Sequence, residues 1–305
     1  MSKIEKALNR AQGERSLQLV PRSPRRSQQL VLQPPAAAPR SVQRASAARE
    51  IALIQEPQLR SRTALEQDRI IFPEMIDAGP VQAFRGIRTK LTQRSGGRNC
   101  SVVVTALDTN SGASFVALNL GVAFAFDAGK TALVMDCNRR DPSLHRLIPS
   151  KEQLGVTDYL DVPSIDVAQI IYPVGIPRLR VIPAGGNRDA PAEFFTSARM
   201  QELMQDIKER YSERYLIIDA PPMTQIADVQ ILSELSDHVI LVVPYGKVTE
   251  SQLTDAARTI GEQKLIGVVF NDEPRPPQGA WRNAMRRSVL GRFFGMFLPR
   301  TDSKS

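Results

Sequence analysis

The stretch Ser101 to Leu120, SVVVTALDTNSGASFVALNL, constrains the fold of this chain more than any other. Val102, Val103 and Val104 form an apolar run that enters a loop of small and polar residues, Thr105 to Gly112. Phe115, Leu118 and Val122 then recur at helical spacing. Strand, tight loop and helix start is the layout in which backbone N–H groups and a helix N-terminus face an anion. A phosphate-binding loop of this kind reads G-x-x-x-x-G-K-[ST]. Gly112 and Ser114 occupy the last glycine and the hydroxyl position, and Asn110 and Ser111 lead into them. Ala113 holds the lysine position and Leu107 the first glycine. The cradle is present without its cationic prong.

What surrounds this stretch repeats its rhythm. Apolar runs at 101–106, 131–136, 179–183, 215–218, 238–243 and 265–270 alternate with helical patterns near 113–127, 197–211, 226–235 and 249–262. Continuous Val/Ile/Leu runs between amphipathic helices are strands buried on both faces, so the expected class is α/β, a doubly wound, mostly parallel sheet of the P-loop NTPase type. Ligands in such sheets bind beyond the strand C-termini, where the loops after Val104, Met135 and Ile218 converge.

Two of those strand ends are acidic. ALVMD ends in Asp136 and YLIID in Asp219. A carboxylate just past an apolar strand can hold Mg²⁺ opposite the phosphates, directly or through water. Strand-end aspartates also cap turns, so either one alone says little. All three elements in this order make a nucleotide site the expectation.

The net charge of +8 is distributed unevenly. Residues 1–62 hold 12 Lys and Arg against 4 acids, 275–305 hold 7 against 1, and the middle holds 21 against 27. An acidic body with two basic arms argues against nucleic acid as partner and favours arms that meet an anionic membrane or acidic proteins. The expected divisions are a short helix at 1–12, a flexible, disordered Arg/Ser/Pro-rich linker at 13–79, the nucleotide-site domain at 80–273 and a basic, apolar tail at 274–305. In the tail, Val289, Leu290, Phe293, Phe294, Met296, Phe297 and Leu298 form a broad apolar helical face, with Arg286 and Arg287 upstream. Such a helix suits the plane of an anionic bilayer; packing on a protein is the alternative. No apolar run approaches the roughly 18 residues of a membrane span. With no signal-peptide pattern, the expected location is the cytoplasm, at the inner face of the cell membrane. Cys100 and Cys137 have no metal-site spacing and read as buried thiols.

Taken together, the motifs resemble those of the bacterial tyrosine kinases of capsule and exopolysaccharide synthesis, in the deviant-Walker P-loop group that also contains the MinD and ParA ATPases. VVVTALDTNSGASFVALNLG is similar to Walker A, ALVMDCNRRDPSLH to the additional Walker A′ motif, and YLIIDAPP to Walker B. IPAGGNRDAPAEFF is similar to the family's PAG…NPAEL stretch, and LIGVVFN to its last strand, where Asn271 is expected near the base. PVQAFRGIRTKL resembles the E-x-x-R-x-x-R oligomerisation helix, with Gln82 in place of Glu and with Arg85 and Arg88 retained. The opening MSKIEKAL is similar to kinases of exosortase-linked polysaccharide loci.

The resemblance implies ATP and Mg²⁺ bound by Asn110, Ser111, Gly112, Ala113, Ser114, Arg140 and Asn271. It implies metal contacts at Ser114, Asp136 and Asp219, and catalysis through Asp136, Asn138 and Asp219. It also implies a homo-oligomer whose partner is a membrane polysaccharide co-polymerase of the chain-length-determinant type. The departures weaken or remove this chemistry. Ala113 replaces the lysine, Asn138 the second Asp of Walker A′, and Asp141 an Arg. The C-terminal tyrosine cluster is missing: the five tyrosines are Tyr159, Tyr172, Tyr211, Tyr215 and Tyr245. Losing one preorganised charge or donor costs about 3–4 kcal/mol of transition-state stabilisation. The expectation is therefore a pseudokinase, a regulator or scaffold of polysaccharide export. The alternatives are an active tyrosine kinase in which Arg139 or Arg140 supplies the lost charge, and a MinD-like membrane-associated ATPase.

Overall fold

The apolar runs form the middle of a seven-stranded sheet of order β3-β4-β2-β5-β1-β6-β7. The computed structural model describes residues 58–75, 77–150, 153–187, 192–210 and 213–272. The expected helix at 1–12 and the tail at 274–305 lie outside them. The strands are β1 (Ser101–Ala106), β2 (Thr131–Asp136), β3 (Tyr172–Pro173), β4 (Leu179–Ile182), β5 (Arg214–Asp219), β6 (His238–Pro244) and β7 (Leu265–Asn271). All pairings are parallel except β3 with β4. This is the expected doubly wound class.

Alternate side chains of each strand feed two separate cores. Val102, Val104, Val134, Ile217 and Val242 point to one face, where they meet helix α3 (Ala113–Ala125) and helix α2 (Ala78–Arg94). Val103, Leu133, Met135, Ile218 and Leu241 point to the other, against α5 (Ala198–Arg210), α6 (Ile226–Leu235) and α7 (Glu250–Ile260). Val116 to Ala125 are all buried, because α3 is sandwiched between the sheet and α2. Gly121 permits its close approach: a Cβ there would lie 2.6 Å from Val134 Cγ2.

The packed body begins before residue 80, which moves the end of the expected linker. Helix α1 (Arg62–Gln67) starts at Ser61, whose hydroxyl accepts from the Ala64 N–H at 3.2 Å. Ile70, Ile71 and Phe72 behind it are buried in or against the core. Asn119, buried in the middle of α3, fastens this strap. Its Oδ1 accepts from the Ile71 N–H at 2.8 Å, and its amide donates to the Arg69 carbonyl at 3.2 Å. The Arg- and Pro-rich composition of the arm masked the three-residue apolar run that burial selects. Helix α4 (Val156–Asp161) and the short β3 were also not expected, having too few residues for a visible period.

Candidate functional site

β1 lies between β5 and β6, and β5 separates it from β2, so the loops after β1, β2 and β5 leave the same edge of the sheet. Register sets their heights. Val104 is level with Asp219, and Asp219 with Asp136. The loop after β1 is held at its base by the Thr105 hydroxyl, which donates to the Pro221 carbonyl at 2.7 Å. Across its middle, the Ser111 hydroxyl donates to the Asp108 carbonyl at 2.8 Å. Asn110 and Gly112 both have positive φ, 59° and 88°, which turns the chain sharply into α3. Gly112 occupies the N-cap position of α3 and provides no side-chain cap. The first-turn N–H groups of a helix have no intrahelical partner, so this bare N-terminus fits a phosphate. Ala113 and the half-buried Ser114 open the helix, and the first turn has no basic residue.

Asn271, at the end of β7, closes the loop from the far side. Its amide donates to the Ser111 carbonyl at 3.0 Å, and a Cβ on Gly112 would lie 2.2 Å from its nitrogen. The Tyr245 N–H donates to the Asn271 carbonyl at 2.7 Å, so the loop after β6 is tied to the same residue.

The acidic strand ends differ in their commitments. Asp136 is satisfied: it accepts from the N–H groups of Asn138 at 3.1 Å, Ser143 at 2.9 Å and Leu144 at 3.1 Å, and so shapes the loop after β2. Asp219 is buried and lacks the backbone N–H partners that Asp136 has; the Ser114 hydroxyl is the group that eases its charge. Burial raises the Asp136 pKa to about 6 despite those three bonds, with the Asp141 carboxylate adding to the rise. Asp219 is pushed well above the usual carboxylate range, first by burial and then by Asp136. The Ser114 hydroxyl opposes this shift and Asp141 reinforces it. Asn138 Oδ1 is also buried and unpaired. The Asp219 carboxyl and the Ser114 hydroxyl are oxygen donors of the kind Mg²⁺, a hard cation, takes. On this donor set Asp219 and Ser114 would hold the metal, while Asp136 acts through the loop.

The positive side chains expected to replace the lysine divide. Arg139 is buried and ion-paired with Asp228 at 2.7 Å, with its guanidinium 5.1 Å from the centre of the Phe195 ring. It clamps the loop after β2 to α6 and is committed there. Arg140 is exposed. Asp228 and Phe195 were missed by sequence reasoning; the Asp three residues into the helix pattern and the aromatic pair in PAEFF were the available signals.

On α2, Gln82 is exposed, whereas Arg85 and Arg88 are used within the chain. Arg85 lies 5.6 Å from the Phe126 ring centre, and Arg88 donates to the Ala123 carbonyl at 2.9 Å near the C-terminus of α3. Cys100 and Cys137 are both buried, and burial raises their thiols, Cys100 to about 11. No helix among the described residues is long and apolar enough to cross a membrane.

No family model matches the chain. It is 31% identical over 193 residues to the tyrosine-protein kinase YwqD of Bacillus subtilis, covering 62% of this chain and 80% of that protein. It is 27% identical over 191 residues to the tyrosine-protein kinase CpsD of Streptococcus agalactiae serotype III, again covering 62% and 80%. Among solved structures, the chimerical protein CapA2B2 superposes with a TM-score of 0.60 at 25% identity, over 76% of this chain and all of that one.

Proposed function

The chain belongs to the bacterial tyrosine-protein kinases, and we propose that it is a degenerate member that regulates or scaffolds capsule or exopolysaccharide production. One observation carries this reading: the loop after β1 is tied down by Asn271 and opens into α3, but the lysine position at the start of α3 is Ala113. Phosphoryl transfer depends on positioning and on neutralising charge that develops on the phosphoryl oxygens. Here the helix N-terminus and the loop amides would orient phosphates, Asp219 and Ser114 would hold Mg²⁺, and Asn271 would keep the loop closed. The metal would neutralise phosphate charge when bound. Arg139, the nearer substitute in sequence, is engaged by Asp228. Weak or absent transfer follows from that accounting, while nucleotide binding survives in reduced form.

The partner in this reading is a membrane polysaccharide co-polymerase, met by a homo-oligomer of the chain at the inner face of the cell membrane. Arg85 and Arg88 would reach a neighbouring copy only after giving up Phe126 and the Ala123 carbonyl. The tail at 286–300 supplies contact with anionic lipid; unchanged liposome flotation of a chain lacking it would remove that part.

Incubating the purified chain with labelled ATP and Mg²⁺ tests the reading, with little or no phosphotyrosine expected. Brisk tyrosine labelling would establish the second reading, an active kinase. The exposed Arg140 is the observation that favours it, and Arg140→Ala would then abolish the labelling.

A further inference from the structure

The charges around the phosphate loop do not balance for a triphosphate. In a loop of this type the lysine reaches the β- and γ-phosphates, and an aspartate on a neighbouring strand carries the metal between them. The N-terminal turn of α3, Ala113 and Ser114 included, has no basic side chain. Opposite it stands Asp219, fully buried, with no backbone N–H on its oxygens and the Ser114 hydroxyl close enough to ease its charge. Asp136 is level with it on the adjacent strand, and Asp141 is near enough to act on both. With Asp136 engaged by the loop after β2, the γ end of a bound nucleotide would rely on a metal at Asp219 and Ser114 alone, with no lysine charge from α3 to share its load. Arg139, the buried guanidinium of the loop after β2, is neutralised by Asp228 at 2.7 Å.

ADP carries one negative charge fewer than ATP. An ADP complex of this chain therefore has the same local charge as an ATP complex of a loop that keeps its lysine. The contacts that remain, the bare helix N-terminus and the amides of the closed loop, serve the inner phosphates. We propose that this site selects a nucleoside diphosphate over the corresponding triphosphate. The inference rests on the nucleotide-binding reading above and names the ligand of that same site. The chain then reports on spent nucleotide rather than consuming fresh nucleotide.

Calorimetric titration of the full chain with ADP and with a β,γ-imido analogue of ATP, each with Mg²⁺, tests it. ADP is expected to bind at least tenfold more tightly, and the ratio narrows as salt screens the carboxylates. Ala113→Lys returns the missing charge and is expected to tighten the analogue at least tenfold while moving ADP little. Ala113→Met adds length without charge and should leave the preference as it was. An analogue that binds the wild type as tightly as ADP overturns the proposal, as does a ratio shifted equally by Lys and Met. Binding of neither nucleotide, by wild type or by Ala113→Lys, removes the nucleotide-binding reading itself.

Discussion

Asn271 and Ser111 are 160 positions apart in the chain, yet the amide of one donates to the carbonyl of the other at 3.0 Å. The bond places the end of the last described strand on the phosphate loop. It leaves Gly112 no room for a side chain. Gly112→Ala is expected to cost about 1–3 kcal/mol, from the left-handed backbone and the contact together. Adding Asn271→Ala relieves the contact and not the backbone strain, so the double variant recovers part of the loss. Chemical denaturation of the four proteins measures the coupling; strict additivity would show that the two residues do not meet.

Asp219 is ionisable and buried, and the Ser114 hydroxyl offsets only part of the cost of burying it. Such a group is kept at the expense of stability. Asp219→Asn is expected to raise the melting temperature of the ligand-free chain by several degrees at pH 7.5. The same variant should abolish the further rise that Mg²⁺ and ADP give the wild type. A variant that melts lower in the absence of ligand would contradict the reading of Asp219 as a buried carboxyl kept at the expense of stability.

The two strand-end carboxylates also set a pH dependence. Asp136 moves from the ordinary 3.8 to about 6, and Asp219 moves upward too, both chiefly through burial. Between those values the folded chain holds protons that the unfolded chain has released. Stability from this source is therefore fully present below about pH 4 and is lost as pH rises through about 6. Other carboxylates contribute in the opposite sense, so the comparison of wild type with Asp219→Asn isolates it. The variant's melting temperature should gain on the wild type's as pH rises from 4 to 7.

Arg139 and Asp228 are 5% and 8% exposed at their side chains and meet at 2.7 Å. Removing one partner strands the other charge in the core, at about 3–5 kcal/mol. Arg139→Met and Asp228→Leu are each expected to destabilise by that order, and the double variant to recover most of the loss. Urea denaturation of the four proteins decides it.

Asn119 holds the strap before α2 by its bonds to Ile71 and Arg69. Asn119→Leu keeps the branched shape but leaves the Ile71 N–H and the Arg69 carbonyl unpaired, at about 1–3 kcal/mol for each buried group. Amide exchange in 69–72 should accelerate strongly in this variant while β1 and β5 keep their protection. Uniform acceleration would mean that the strap is not a separate unit.

The class of fold was legible because each central strand is buried on both faces, and continuous Val, Ile and Leu runs are the direct chemical consequence. Helices between such runs leave few topologies open. The phosphate loop was legible because its residues are contiguous and their backbone geometry is local. The strap at 58–72 was not, since Ile70, Ile71 and Phe72 sit in an arm whose composition reads as linker until Asn119 claims it. The short α4 and β3 had too few residues for a period to register.

Sequence by itself determined the sheet, the tight turn from the first strand into its helix, the acidic strand ends and the absence of a lysine at position 113. Tertiary structure alone decided how those residues are used: Asp136 holds a loop, Asp219 is buried without a backbone N–H partner, Arg139 is engaged by Asp228, and Asn271 caps Ser111. The physical reason is range. Propensity and burial pattern are properties of neighbouring residues, whereas Arg139 lies 89 positions from its partner and Asn271 lies 160 from its own. Which buried charge is paired and which is left to a ligand depends on chain closure across those distances.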